Sequence, residues 1–205
     1  MKNQEYIWNK LASQWNNFRS KPENVVSYFK DKYIKNKGKI IDLGCGNSRN
    51  LIPFKDFDCY GIDFSNEMLK YSKLTAKKYN FKIKLIKSNL DKLPFKNNYF
   101  NYALMLASLH NVETKEKRLN VLKELYRILK NNGIALITVW NKWQLKFLFK
   151  RKNILIPWKI KDKLYYRYYY LFNYLELKNL IKKFNFRILY IKRFKRNILA
   201  IIKKT

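Results

Sequence analysis

The sequence is short of acid, cysteine, glycine and histidine, and each shortage removes a class of protein. Two cysteines in 205 residues, Cys45 and Cys59, offer no disulfide framework, and no Cys/His spacing suggests a zinc site, so no metal is expected. A reducing, cytoplasmic setting is the expectation that follows. The N-terminus is polar, and no apolar run approaches the ~18 residues that cross a bilayer, which predicts a soluble protein. The five glycines all fall where turns are expected, and no repeat or linker interrupts the chain. Asp plus Glu number 14 against 45 Lys plus Arg, a formal net charge of +31. Such an excess repels itself in a compact state unless a polyanion relieves it. Nucleic acid is the obvious partner, and an aromatic content of 17% offers stacking surfaces for unpaired bases. The competing reading is an AT-biased genome, which writes Lys, Asn, Ile and Tyr everywhere without selection on function. No separate basic amphipathic helix points to an anionic membrane.

A hydrophobic content of 47% and a chain of this length are enough for one domain with a real core. Tyr6, Ile7, Leu11, Trp15 and Phe18 recur at helical spacing, and a short helix after Pro22 would turn Val25, Val26 and Phe29 inward. Strands are predicted at 39–43, 59–63, 83–86, 101–108 and 134–140. Helices alternate with them, one starting after Ser65 and one over 115–129 that ends at Asn131-Asn132-Gly133. That alternation predicts an α/β fold, a Rossmann-like parallel sheet with helices on both faces. Residues 141–172 are basic, aromatic and poor in periodicity, and read as an insertion or lid. A helix over 173–184 and strands near 186–191 and 195–202 follow, joined by a hairpin turn at 194–197. The expectation is a single domain over 1–205 with a helical segment at 1–35. Its sheet would be seven-stranded and mostly parallel, with the last strand antiparallel.

The chemistry starts at Ile41-Asp42-Leu43-Gly44-Cys45-Gly46-Asn47. Gly44 and Gly46 let the backbone turn tightly after a strand and approach a ligand closely. About twenty residues on, Asp63 ends the second strand, placed to accept from ribose hydroxyls. A nicotinamide dinucleotide site needs a third glycine where Arg49 stands, so that class is disfavoured. Asp42-x-Gly44-x-Gly46 instead resembles the first motif of class I methyltransferases, which implies S-adenosylmethionine as cofactor. The family's third glycine is Ser48 here. Its adenine-binding acidic position falls at Asn89, with Asp91 as the alternative, and Leu90 is placed to pack on the adenine ring. Asp42 could instead be a cap and Asp63 a turn residue. The candidate cofactor set is Asp42, Gly44, Cys45, Gly46, Asp63, Phe64, Asn89, Leu90 and Leu106.

Further along, Leu106-Ala107-Ser108-Leu109-His110-Asn111, Leu125-Tyr126-Arg127-Ile128-Leu129-Lys130 and Ala135-Leu136-Ile137-Thr138-Val139-Trp140 form a series. With it go Leu11-Ala12-x-x-Trp15, Arg19-Ser20-Lys21-Pro22, Ile156-Pro157-Trp158, Arg167-Tyr168-Tyr169-Tyr170 and Arg196-Asn197. The set resembles the tRNA wobble-uridine carboxymethyl methyltransferases, found as free-standing enzymes and as one domain of an AlkB-homologue fusion protein. It departs at the family's paired histidines, which are His110-Asn111 here, and at Tyr170, where the family has histidine. The resemblance implies methyl transfer to the carboxylate of 5-carboxymethyluridine in tRNA. It also implies a partner, a small zinc-binding activator protein. A carboxylate is already an anion at neutral pH, so the reaction needs positioning rather than a general base. Arg19, His110 and Arg196 are the catalytic candidates, with Arg167, Asn197 and Trp158 contacting substrate. Each has a plainer reading: His110 as a structural cap, Arg19 as a surface arginine, Arg167 as aromatic packing. A small-molecule methyltransferase of the quinone or sterol-like class is the alternative function, and a non-catalytic cofactor- or RNA-binding subunit a third.

Overall fold

A computed structural model describes residues 3–194 and 196–205. Lys195, within the expected turn at 194–197, lies outside the described residues. Helix α1 (Gln4–Phe18) starts at Asn3, whose side chain accepts from the Glu5 N–H, and buries Ile7, Trp8, Leu11 and Ala12. Helix α2 (Asn24–Tyr33) turns Val26 and Phe29 inward. Strands β1 (Lys39–Leu43) and β2 (Asp58–Asp63) follow, then α3 (Asn66–Lys78), whose N-cap Ser65 accepts from Met68 N–H. Next come β3 (Ile83–Lys87), β4 (Phe100–Leu106), α4 (Lys115–Ile128) and β5 (Leu129–Trp140). Strands β6 (Asn153–Ile160) and β7 (Lys163–Tyr170) precede α5 (Tyr174–Lys183), which carries a reciprocal capping box between Asn173 and Glu176. Strands β8 (Phe186–Phe194) and β9 (Asn197–Lys204) end the chain.

Among the described residues one seven-stranded sheet runs in the order β3-β2-β1-β4-β5-β9-β8. Strand β9 alone runs against the direction of the other six, so the expected topology holds. The order reverses between β1 and β4, the switch point where open α/β sheets bind ligands beyond the carboxyl ends of their strands. Apolar side chains cover both faces. Ile41 and Leu43 join a cluster with α4 and α5, while Ile40 joins one with α2. That two-sided burial explains the nearly continuous apolar runs of the central strands. No helix of the described residues is long and apolar enough to cross a membrane.

Two expectations need correction. Strand β5 begins at Leu129 rather than Ile134, because Leu129 pairs with Phe100 before the ladder resumes at Tyr102–Ile134. The predicted turn survives inside this irregularity: Asn132 is left-handed at φ 65°. A Cβ on Gly133 would sit 2.8 Å from the Lys130 carbonyl oxygen. The aperiodic stretch after Trp140 holds the two-stranded antiparallel sheet β6-β7. Its inner face, with Trp158, Ile160 and Tyr165, packs on Ile7, Trp8 and Leu11 of α1. The period of two was present at Ile154, Ile156, Trp158 and Ile160, but Leu155 and Pro157 on the outward side hid it.

Candidate active site

The glycine loop is shaped by two glycines with left-handed backbone. Gly44 and Gly46 lie at φ 77° and 54°, and a Cβ on Gly44 would meet Ser108 Oγ at 2.5 Å. The N–H groups of Gly44 and Cys45 both reach the Ile62 carbonyl, each at 2.8 Å, which folds the loop across the end of β2. Asp63 then stitches it: Oδ2 accepts from Gly46 N–H and Oδ1 from Ser65 N–H, both at 2.9 Å. Each oxygen retains capacity for a further donor. Ser48, at the family's third glycine position, is also left-handed (φ 57°), and its hydroxyl hydrogen-bonds Ser72.

Asp42 lies beneath the loop. It is almost wholly buried, and its Oδ2 has no hydrogen-bond partner among the described residues. Burial raises its pKa to about 7 against the pull of Arg49, and raises Asp63 to about 6 against backbone hydrogen bonds. An orphaned buried carboxylate, a glycine cradle and a second carboxylate at the loop fit a cationic, ribose-bearing ligand. S-adenosylmethionine is such a ligand. The signs give a pH dependence. Because the folded chain holds these protons above the ordinary carboxylate range, their stabilising contribution is complete below about pH 4 and lost as pH rises through 6 and 7. A cationic cofactor favours the ionised forms, so its binding expels protons. Calorimetry should therefore show affinity rising from pH 5 to about 7 and then levelling, with Asp42→Asn flattening the rise. An affinity that does not change over this range would contradict the assignment.

A cavity of about 1280 Å³ opens beside the loop. Gly44, Cys45, Gly46, Asp63, Phe64, Asn89, Leu90 and Leu106 are among its lining residues. Asn89 and Asp91 both face it, so the geometry admits either as the adenine-side group. Burial pushes the Cys45 thiol well up, so the side chain stays protonated and only wall and backbone are on offer. Arg19, His110, Trp158, Arg167, Arg196 and Asn197 line it as well. The cavity thus brings together every candidate except Asp42.

Their settings differ. Arg19, at the end of α1, is exposed, its guanidinium 5.5 Å from the Trp15 ring. Its carbonyl accepts from Asn47 Nδ2 at 2.7 Å, which ties the end of α1 to the glycine loop. Arg196 is exposed, and its carbonyl accepts from Asn141 N–H. His110 is buried and accepts at Nδ1 from Trp140 N–H (3.1 Å), so the neutral ring carries its proton on Nε2. Burial, then the nearby Arg167 charge, lower its pKa to about 3, so it offers a hydrogen-bond donor at neutral pH rather than a proton shuttle. Tyr169 stacks on His110 at 4.9 Å and on Trp140 at 4.4 Å.

Arg167 is the unusual group. It is only 5% exposed, and its guanidinium faces Trp158 at 4.6 Å, Tyr169 at 5.2 Å and Trp8 at 5.8 Å. Nη1 donates to the Tyr169 hydroxyl at 2.9 Å, whereas buried Nε has no acceptor among the described residues. Burial lowers its pKa, the cost of a cation held away from water. Asn197 Oδ1 and Asn111 Oδ1 are likewise buried without a donor among the described residues. Asn111's orientation is fixed, because its Nδ2 donates to the Ala107 carbonyl. Sequence reading missed Trp8, Tyr169 and Asn111. The first two look like core aromatics, and nothing local shows that helix α1, strand β7 and the turn after β4 converge.

An α/β sheet of this order, with a glycine loop and the carboxylates Asp42 and Asp63 at its switch point, fits a class I methyltransferase domain. The chain is an S-adenosylmethionine-dependent methyltransferase domain, and the sequence profile described as "Methyltransferase domain" matches residues 41–137. Within that class it resembles the tRNA wobble-uridine carboxymethyl methyltransferases. It is 32% identical over 143 residues to the tRNA (carboxymethyluridine(34)-5-O)-methyltransferase of Saccharomyces cerevisiae, covering 68% of this chain and 49% of that protein. It is 26% identical to the Probable tRNA methyltransferase 9B of Mus musculus, covering 66% of this chain and 32% of that one. The chain therefore spans half or less of these relatives. A crystal structure of an S-adenosylmethionine-dependent methyltransferase from Methanosarcina mazei has the same fold, with TM-score 0.76 at 21% identity over 90% of this chain and 98% of that one.

Proposed function

We propose that this protein methylates the carboxylate of a 5-carboxymethyluridine at the wobble position of tRNA. The observation that carries the reading is Arg167, a buried cation with a spare donor, set in an aromatic enclosure on the cavity that also holds the glycine loop. A carboxylate accepts guanidinium donors in pairs, and pairing would offset the cost of burying the cation. When bound, S-adenosylmethionine supplies a methyl group on a positively charged sulfur. Transfer of that methyl to a carboxylate oxygen would leave a neutral thioether and would need no proton transfer from the protein. Arg167 holds the nucleophile, neutral His110 donates from Nε2, and the surrounding Trp158, Tyr169 and Trp140 keep water out. The two tRNA-directed relatives and the net charge of +31 support a tRNA acceptor.

The test is mass spectrometry of tRNA nucleosides after incubation with the protein and isotope-labelled cofactor. Tritium or deuterium should appear as one methyl ester on a carboxymethylated uridine, removable by mild alkali. Label on a base nitrogen, or methyl transfer to an apolar quinone but not to tRNA, would overturn the reading.

A further inference from the structure

Resting on that reading, we propose that the loop after β5 is a stacking platform for unpaired nucleotides next to the one being methylated. Residues 142–152 (Lys-Trp-Gln-Leu-Lys-Phe-Leu-Phe-Lys-Arg-Lys) contain five cations and no acid. Large apolar side chains stand in solvent among them: Trp143 is 54% exposed, Leu145 90% and Phe149 fully so. Exposed rings usually sit on slack segments, but this loop is firmly held. Lys142 N–H donates to the Phe172 carbonyl at 2.7 Å and Asn141 N–H to the Arg196 carbonyl at 3.0 Å. Lys142 Nζ donates to the Phe147 and Leu148 carbonyls, at 2.6 and 2.8 Å. Gln144 Nε2 bridges the Asn141 and Arg196 carbonyls, at 2.8 and 3.1 Å. Phe147 is the buried anchor, packed 5.8 Å from Trp140. A fixed loop that displays rings flanked by Lys146, Lys150 and Arg151 presents apolar faces and cations together.

The loop adjoins the cavity wall. Lys146 Nζ lies 5.2 Å from the ring of Trp140, and Trp140 and Arg196 both line the cavity wall. Single-stranded nucleic acid matches this pairing of features, since every base has a face to stack and every nucleotide a phosphate for a lysine. Duplex does not, because its bases are already stacked. The acceptor nucleotide would enter the cavity while its neighbours lie on Trp143 and Phe149.

Unmodified single-stranded oligouridylate of eight to ten nucleotides is the probe for binding, with methylation of tRNA measured separately. Oligouridylate should bind with steep salt dependence, whereas a hairpin duplex of equal charge should bind at least about tenfold more weakly. A double variant, Trp143→Ala with Phe149→Ala, should lose about tenfold or more in oligouridylate affinity, while Trp143→Phe keeps it. Cofactor affinity of the double variant should stay at the parent value, which shows that the fold is intact. Unchanged oligouridylate binding by the double variant, with tRNA methylation intact, overturns the platform and leaves the proposed function standing. Equal binding of duplex and single strand also overturns it. Tight binding of the loop to vesicles rich in phosphatidylserine, with no affinity for oligouridylate, would assign the loop to membranes. Absence of any methyl product on tRNA would instead remove the proposed function.

Discussion

Arg167→Met should lower kcat/KM for the carboxylate acceptor by about 10²–10³, the usual cost of removing one preorganised charged donor from a developing reaction site. Met is chosen because its length and shape preserve the packing between Trp158, Tyr169 and Trp8. The same substitution should leave thermal stability unchanged or raise it. A buried guanidinium whose Nε has no acceptor is a net burden on the fold, and an apolar replacement removes that burden. Activity and stability therefore move in opposite directions if Arg167 serves substrate. Cofactor affinity should change little, because the contacts of Arg167 are with Trp8, Trp158 and Tyr169 and not with the glycine loop. Arg167→Lys should rescue poorly, since an ammonium cannot present a planar pair of donors or stack between rings. Parallel losses of activity and melting temperature in Arg167→Met would instead make the residue ordinary aromatic packing.

Gly44→Ala and Gly46→Ala should separate sharply, although both glycines have positive φ. At Gly46 the nearest atoms to a new Cβ are 3.9 Å away, so the cost is the left-handed backbone alone, about 1 kcal/mol of stability. At Gly44 the Cβ would lie 2.5 Å from Ser108 Oγ and 2.7 Å from Ser108 Cβ, atoms near the backbone of the turn after β4. Either the end of β1 or that turn must move, and both carry cavity walls. We expect a stability loss of about 2–4 kcal/mol by denaturant unfolding and a fall in cofactor affinity of at least ~100-fold by calorimetry. The double change Gly44→Ala with Ser108→Gly should recover part of both, because it removes the obstructing side chain. Equal behaviour of the two single variants would contradict this account of the loop.

Much of the frame was legible because its signals are local. Ser65, Thr114 and Asn173 each sit where a side-chain oxygen can cap a helix, and each does. Asp42, Gly44, Gly46 and Asp63 lie within one strand–loop–strand unit, so spacing alone placed them together. The start of β5 was not legible. Its first pair, Leu129 with Phe100, depends on how closely two distant segments approach, while Asn131-Asn132-Gly133 correctly announced a turn. Strand β6 was obscured because both faces of its small sheet carry apolar residues, the inner against α1 and the outer toward solvent.

The absence of a third spaced glycine and the carboxylate–glycine spacing determined the cofactor half of the site, since those features act through the backbone within a few residues. The acceptor half was decided by tertiary structure. Arg167 is one of 45 basic residues in the sequence, and its place in Arg167-Tyr168-Tyr169-Tyr170 marked it as a substrate candidate without showing its surroundings. It becomes distinct only when β7 packs between α1 and the turn after β4, closing Trp8, Trp158 and Tyr169 around it and leaving one donor unpaired. Desolvation is a property of the assembled surroundings, and the folded structure alone sets which cation loses its water.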